Sequence, residues 1–250
     1  FPASAVPVYT AGTIARTLSP DVIARMSIAD RDVMNKFIPE FVATQALAKA
    51  SVLNASVQIK TLKQIADTLA AAIRKNYSEN WWQDYIKANI LIIQQGYIFA
   101  ITKMNVAIGN TKFPDFALVT HDSYLDIMEI KKPDTPLLKH DASRDNYYWE
   151  TEIAKAIAQV ENYIENVSSK AADVRGFIKD KHKIDLKVVR PRGIILAGNA
   201  SKMVEQKQRD DFRLLSLSTK NILFVTYDEL LNRLQNYIKV LEQHAKPAKN

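Results

Sequence analysis

Within FPDFALVTHDSYLDIMEIKKP, residues 113–133, stand one acid after a proline, Asp115, and an acid–lysine pair, Glu129 and Lys131. The flanking residues predict two short strands, Phe113 to Val119 and Leu125 to Lys131. Side chains of a strand repeat every two residues, so Leu125, Ile127, Glu129 and Lys131 share one face. An apolar face that ends in an acid and a lysine calls for a chemical reason. If Asp115 lies opposite Glu129, then Thr120 lies opposite Tyr124. The loop is then His121, Asp122 and Ser123, a common hairpin length. Two carboxylates so placed repel each other unless a divalent cation lies between them. Mg²⁺ suits an oxygen-rich site with few protein ligands, because it keeps several waters and bridges to phosphates. Lys131 would point at the same place, able to position or help deprotonate a water, or to stabilise charge on phosphate. A metal-dependent phosphodiesterase is the chemistry this spacing supports. Set against it, a Pro-Asp pair and a Glu-x-Lys also occur together as ordinary surface turns and strands, where charge pairs contribute little.

The elements that must hold these residues follow from patterning. No glycine or proline interrupts residues 40–95, and Val57, Leu62, Ile65, Leu69 and Ile73 recur at helical intervals. The helical pattern begins near Arg31, with a break expected at Pro39, and Ser19-Pro20-Asp21 reads as an earlier helix start. Ser78 is placed to cap a further helix running to about Gln94, with Trp82, Tyr85, Ile86, Ile90 and Ile93 as its apolar stripe. Glu79 in its first turn complements the helix dipole or serves as an accessory acid. Gly96 ends that helix, and Tyr97 to Lys103 is a first strand. Residues 133–149 read as a long loop whose Arg144 and aromatics could grip a phosphate backbone or cover the core. A strong helix follows from Glu150 to about Lys170, with Ile153, Ile157, Val160 and Ile164 as its buried stripe. Lys155, Gln159 and Tyr163 lie along a neighbouring face. After a charged connector come a strand within Gly193 to Gly198, a polar helix over 201–217, a strand at Ile222 to Thr226 and a closing helix from Tyr227. Helices around a mixed sheet make this the α/β class.

Composition sets the outer limits. The apolar fraction of 47% is that of a globular protein, and a net charge of +7 with pI near 9.3 favours a polyanionic partner, nucleic acid first. Cysteine is absent, which excludes disulfides and thiolate zinc sites and agrees with a reducing cytoplasm. The four histidines, His121, His140, His182 and His244, have no ligand spacing and read as surface residues. No apolar run approaches the ~20 residues of a membrane span. The first residue is Phe1, and no basic-then-apolar leader is visible.

Pro114-Asp115, Glu129-Ile130-Lys131 and Gln159 to Tyr163 resemble the PD-(D/E)xK nuclease superfamily. Phe113-Pro114-Asp115-Phe116, the run Glu129 to Thr135, Arg144-Asp145-Asn146, Ala156 to Val160 and Thr226 to Leu231 are similar to the Shedu anti-phage nucleases of bacteria. The resemblance covers about residues 78–235. It implies a restriction-endonuclease-like αβββαβ core with a mixed sheet at 78–245. A helical region at 1–77 would precede it, serving packing, oligomerisation or regulation, and a basic tail at 246–250 would follow. It implies a DNA endonuclease using Mg²⁺, with Mn²⁺ as the substitute, acting in phage defence as a cytoplasmic homo-oligomer, a dimer or a tetramer. Asp115, Glu129 and the Ile130 carbonyl would hold the metal. Lys131 would position the attacking water, Gln159 would support it, and Glu79 would be the accessory acid. Arg144, Lys132 and Lys155 would contact nucleic acid. The competing readings are a basic binding module without catalysis and a repair-type nuclease acting on ends or junctions.

Overall fold

The structure, a computed structural model, describes residues 25–75, 77–93, 96–102, 104 and 114–245, with the side chains of 35, 37–57 and 244–245 set aside. The Ser19-Pro20-Asp21 helix start and the basic tail lie outside these residues. The chain divides into two units, residues 1–58 and 59–250. Helix α1 (Ile28–Ile73) begins in the first, with Ser27 accepting the Asp30 N–H, and ends in the second. Its backbone stays helical through Pro39, where a break was expected. A proline removes one N–H donor from the helical ladder, and the helix continues past that loss.

The second unit is built on a five-stranded sheet of order β1-β2-β3-β6-β7. The strands are β1 (Tyr97–Thr102), β2 (Phe116–Thr120), β3 (Leu125–Ile130), β6 (Gly193–Leu196) and β7 (Ile222–Val225). The first three are antiparallel, while β3, β6 and β7 run parallel, so the sheet is mixed. Every residue of β3, the central strand, is buried.

One face of the sheet carries Phe116, Leu118, Met128 and Ile130, packed with the end of α1, with α2 (Glu79–Ile93) and with α6 (Tyr227–Ala245). Ser78 accepts the Trp81 N–H at the start of α2, and of the expected stripe Trp82, Ile86, Ile90 and Ile93 are buried while Tyr85 is half-buried. Gly96 follows with φ of +103°, a left-handed conformation that favours glycine.

The other face carries Ala117, Val119, Leu125 and Ile127 against α3 (Thr151–Ser169) and α4 (Ala171–His182). On α3 the buried residues are Ile153, Ala156, Val160, Tyr163 and Val167. Ile157 and Ile164 are only half-buried, so the core stripe is rotated from the one expected and takes in Tyr163. Gly193 is the reason α3 can lie so close to the sheet: a Cβ there would collide with Val160.

Two further departures come from short or polar elements. Residues 133–149 are not a loop throughout, because β4 (Leu138–Asp141) and β5 (Asn146–Trp149) pair as a separate hairpin. Its inner face, with Trp149, packs on Phe224 and on Phe212 of α5 (Gln206–Ser218). The expected charged connector contains α4, of which Val174 and Ile178 are buried while Phe177 is exposed among its charged residues. His182 at its end is half-buried between Phe99 and Phe177 rather than on the surface. No described helix is long and apolar enough to cross a membrane.

Candidate active site

The β2–β3 register pairs Phe116 with Met128 and Ala117 with Ile127. Continued by one pair, it sets Asp115 opposite Glu129, as the sequence arithmetic requires. At the other end Thr120 donates its N–H to the Tyr124 carbonyl across the three-residue loop, where Ser123 adopts φ of +68°. Hairpin geometry thus brings two acids fourteen positions apart to the same end of the central strand.

Both acids are tethered. Asp115 Oδ2 accepts the backbone N–H of Ile130 at 2.8 Å, and its Oδ1 accepts the side-chain amide of Gln83 at 2.7 Å. Lys131 Nζ donates to Glu129 Oε1 at 2.9 Å, both side chains largely buried. Lys131 is itself fixed at the backbone. Its N–H donates to the Leu196 carbonyl, and its carbonyl accepts the hydroxyl of the fully buried Tyr227 at 2.7 Å.

Burial and neighbouring charge set the protonation of the cluster. Burial, then the charge of Glu129, pushes Asp115 up to about 7, although the Ile130 N–H and Lys131 pull the other way. Burial also raises Glu129, against the opposing pull of Lys131. For Lys131 burial favours the neutral amine, but Glu129, Glu79 and Asp115 outweigh it and hold the ammonium above its usual range. Lys131 is therefore a proton-bearing donor here, suited to orienting water or stabilising negative charge rather than to removing a proton. A half-buried and a buried carboxylate that resist joint ionisation are what a divalent cation would stabilise. An all-oxygen donor set selects a hard ion. Among the described residues no group of three or more His, Asp or Glu forms a protein-only cage. Two carboxylates completed by waters or phosphate oxygens match the sparse ligation of Mg²⁺.

The other expected residues fall into two groups. Glu79, the exposed first residue of α2, acts at longer range, and its charge is felt by Asp115, Glu129 and Lys131. Tyr163 is buried, and its phenol is pushed up to about 12 by burial and then by Glu129 and Asp115. Gln159, one turn earlier, is exposed, and among the described residues no hydrogen bond joins it to the acids. Arg144 is exposed in the β4–β5 turn, Lys132 pairs with Asp134 and Lys155 pairs with Glu152. Gln83 and Tyr227 were not anticipated. Gln83 lies four residues after Glu79, on the same side of the helix, and that spacing is the signal that could have found it.

Comparison with known proteins gives two results. The family model described as Shedu protein SduA, C-terminal, matches residues 76–231. The chain is also similar to the Shedu protein SduA of Bacillus cereus (strain B4264), 26% identical over 207 residues. That match covers 76% of this chain and 53% of the relative, so the chain spans about half the length of the curated relative it matches.

Proposed function

The chain belongs to the Shedu SduA C-terminal family, and we propose that it is a metal-dependent DNA endonuclease acting in bacterial anti-phage defence. The observation that carries the catalytic reading is the opposition of the half-buried Asp115 and the buried Glu129, with Lys131 held 2.9 Å from Glu129. The order of α2, β1–β3, α3 and β6 fits a restriction-endonuclease-like αβββαβ core, with β4–β5 and α4 as additions. Asp115, Glu129 and the Ile130 carbonyl would hold Mg²⁺ or its substitute Mn²⁺. The bound cation would supply charge neutralisation at the scissile phosphate and a more acidic water.

The chain's own residues do the rest. Lys131, kept as an ammonium, orients the attacking water and stabilises the charge that grows on the phosphate oxygens. Tyr227 fixes the Lys131 backbone, so the lysine approaches from one direction. Glu79 adds negative potential to the cluster, and the exposed Gln159, one turn from Tyr163, would support the attacking water. Arg144, Lys132 and Lys155 contact the phosphate backbone, which gives binding with little sequence preference. The protein works as a homo-oligomer in the cytoplasm, with residues 1–77 serving assembly or control.

The test is cleavage of closed circular and linear duplex DNA with Mg²⁺ by the native chain and by Glu129→Gln. Cutting of closed circles by the native chain alone supports the endonuclease. Product released only from free ends would give the end-acting reading instead.

A further inference from the structure

Helix α2 carries two stripes. One, at Trp82, Ile86, Ile90 and Ile93, is core. The other, at Asn80, Gln83, Asp84 and Lys87, follows the same helical spacing and is polar. It lines a cleft of about 350 Å³ that Asp115 also lines. Only Gln83 of this stripe reaches the acid, at 2.7 Å from Oδ1. An ionised carboxylate only accepts hydrogen bonds, so the nitrogen end of the amide is the end turned towards it. The other Asp115 oxygen takes the Ile130 N–H at 2.8 Å. A helix and the neighbouring strand thus each supply one donor, one to each oxygen.

We propose that Gln83 is a positioning residue that holds the Asp115 carboxylate in the single orientation in which it ligates the metal. The inference rests on the reading of Asp115 as a ligand. Among the described residues Gln83 has no other hydrogen-bond partner, and it is half-buried at the cleft wall. Removing its side chain opens a gap that water can enter. The water satisfies the charge but leaves the carboxylate free to rotate, so folding is preserved and ligand geometry is lost. Groups that orient a metal ligand contribute about 10–100-fold to metal affinity.

The experiment titrates Mn²⁺ alone, without DNA, into the full chain by calorimetry, following free Mn²⁺ by electron paramagnetic resonance. The chains compared are native, Gln83→Ala, Gln83→Leu, Lys87→Ala and Asp115→Ala. Gln83→Leu keeps the side chain's bulk without its donor, and it serves if the alanine variant does not fold. Both Gln83 variants are expected to bind Mn²⁺ about 10–100-fold more weakly than native, with Lys87→Ala, from the same cleft, unchanged. Mn²⁺ affinity within about twofold of native in a folded Gln83 variant, alongside loss of binding in Asp115→Ala, would overturn the positioning role alone. Native-like binding by Asp115→Ala, or none by the native chain, would overturn the ligand reading and this inference with it.

Discussion

The carboxylate of Asp115 accepts the backbone N–H of Ile130, the residue that links Glu129 to Lys131, at 2.8 Å. One hydrogen bond therefore locks the acid that precedes β2 to the last residue of β3, which lies between both other members of the cluster. The acids are held close by hairpin pairing and this tether, although burial raises both their affinities for protons and the charge of Glu129 adds to the rise at Asp115.

Stability should therefore fall with rising pH when metal is withheld. Asp115 in the folded chain is raised to about 7, against ~4 for an unfolded aspartate. Between those values the folded chain holds a proton that the unfolded chain has released. Each unit of rising pH then removes up to ~1.4 kcal/mol, and the loss ends above the folded value. Denaturant melts in EDTA at pH 5 to 8, native against Asp115→Asn, isolate this group. The native chain should lose stability relative to the variant across that range, and Mg²⁺ at pH 8 should restore it. A native chain that gains stability relative to the variant as pH rises would contradict the shift.

Tyr227→Phe removes only the hydroxyl that donates to the Lys131 carbonyl and leaves the ring packed beside Trp82. The expected loss of stability is ~1 kcal/mol. Single-turnover cleavage should slow by about tenfold, the equivalent of ~1.4 kcal/mol in the barrier, with DNA affinity unchanged. A rate indistinguishable from native would show that Lys131 needs no such support.

Asp126 is the contrasting acid on the same strand. It is buried, and its two oxygens accept the Tyr97 hydroxyl and the Arg192 N–H, each at 2.8 Å. Asp126→Ala strands both donors, at a cost of ~1–3 kcal/mol each when they stay buried. Chemical denaturation should show this loss, while Mn²⁺ affinity and cleavage per folded molecule stay native. A selective loss of metal binding would instead put Asp126 in the working site.

Much of the site was legible because the hairpin is local. Side-chain alternation and one loop length were enough to place Asp115 opposite Glu129, and the register agrees. Gln83 was signalled only by its spacing from Glu79, since its bond to Asp115 spans 32 positions and exists only once α2 docks on the sheet. The Tyr227 contact, over 96 positions, is hidden for the same reason. In the fold, long apolar patterns gave α2, α3 and the main strands. The β4 and β5 strands escaped because they are four residues long and follow Pro133 and Pro136. Helix α4 escaped because Gly176 and its many charges mask a two-residue core contact. Tyr163 was placed beside the α3 core stripe and lies within it, because the helix is rotated towards Ala156 and Gly193.

Lys131→Ala tests the central claim most directly. The native chain, this variant and an EDTA control are incubated with supercoiled plasmid and Mg²⁺, and nicked and linear products are followed over time. The native chain should yield nicked or linear DNA, and both the variant and EDTA should suppress it by at least about a hundredfold, the scale of a lost charge-stabilising donor. Undiminished cleavage by folded Lys131→Ala would contradict the assignment of the chemistry to the end of β3.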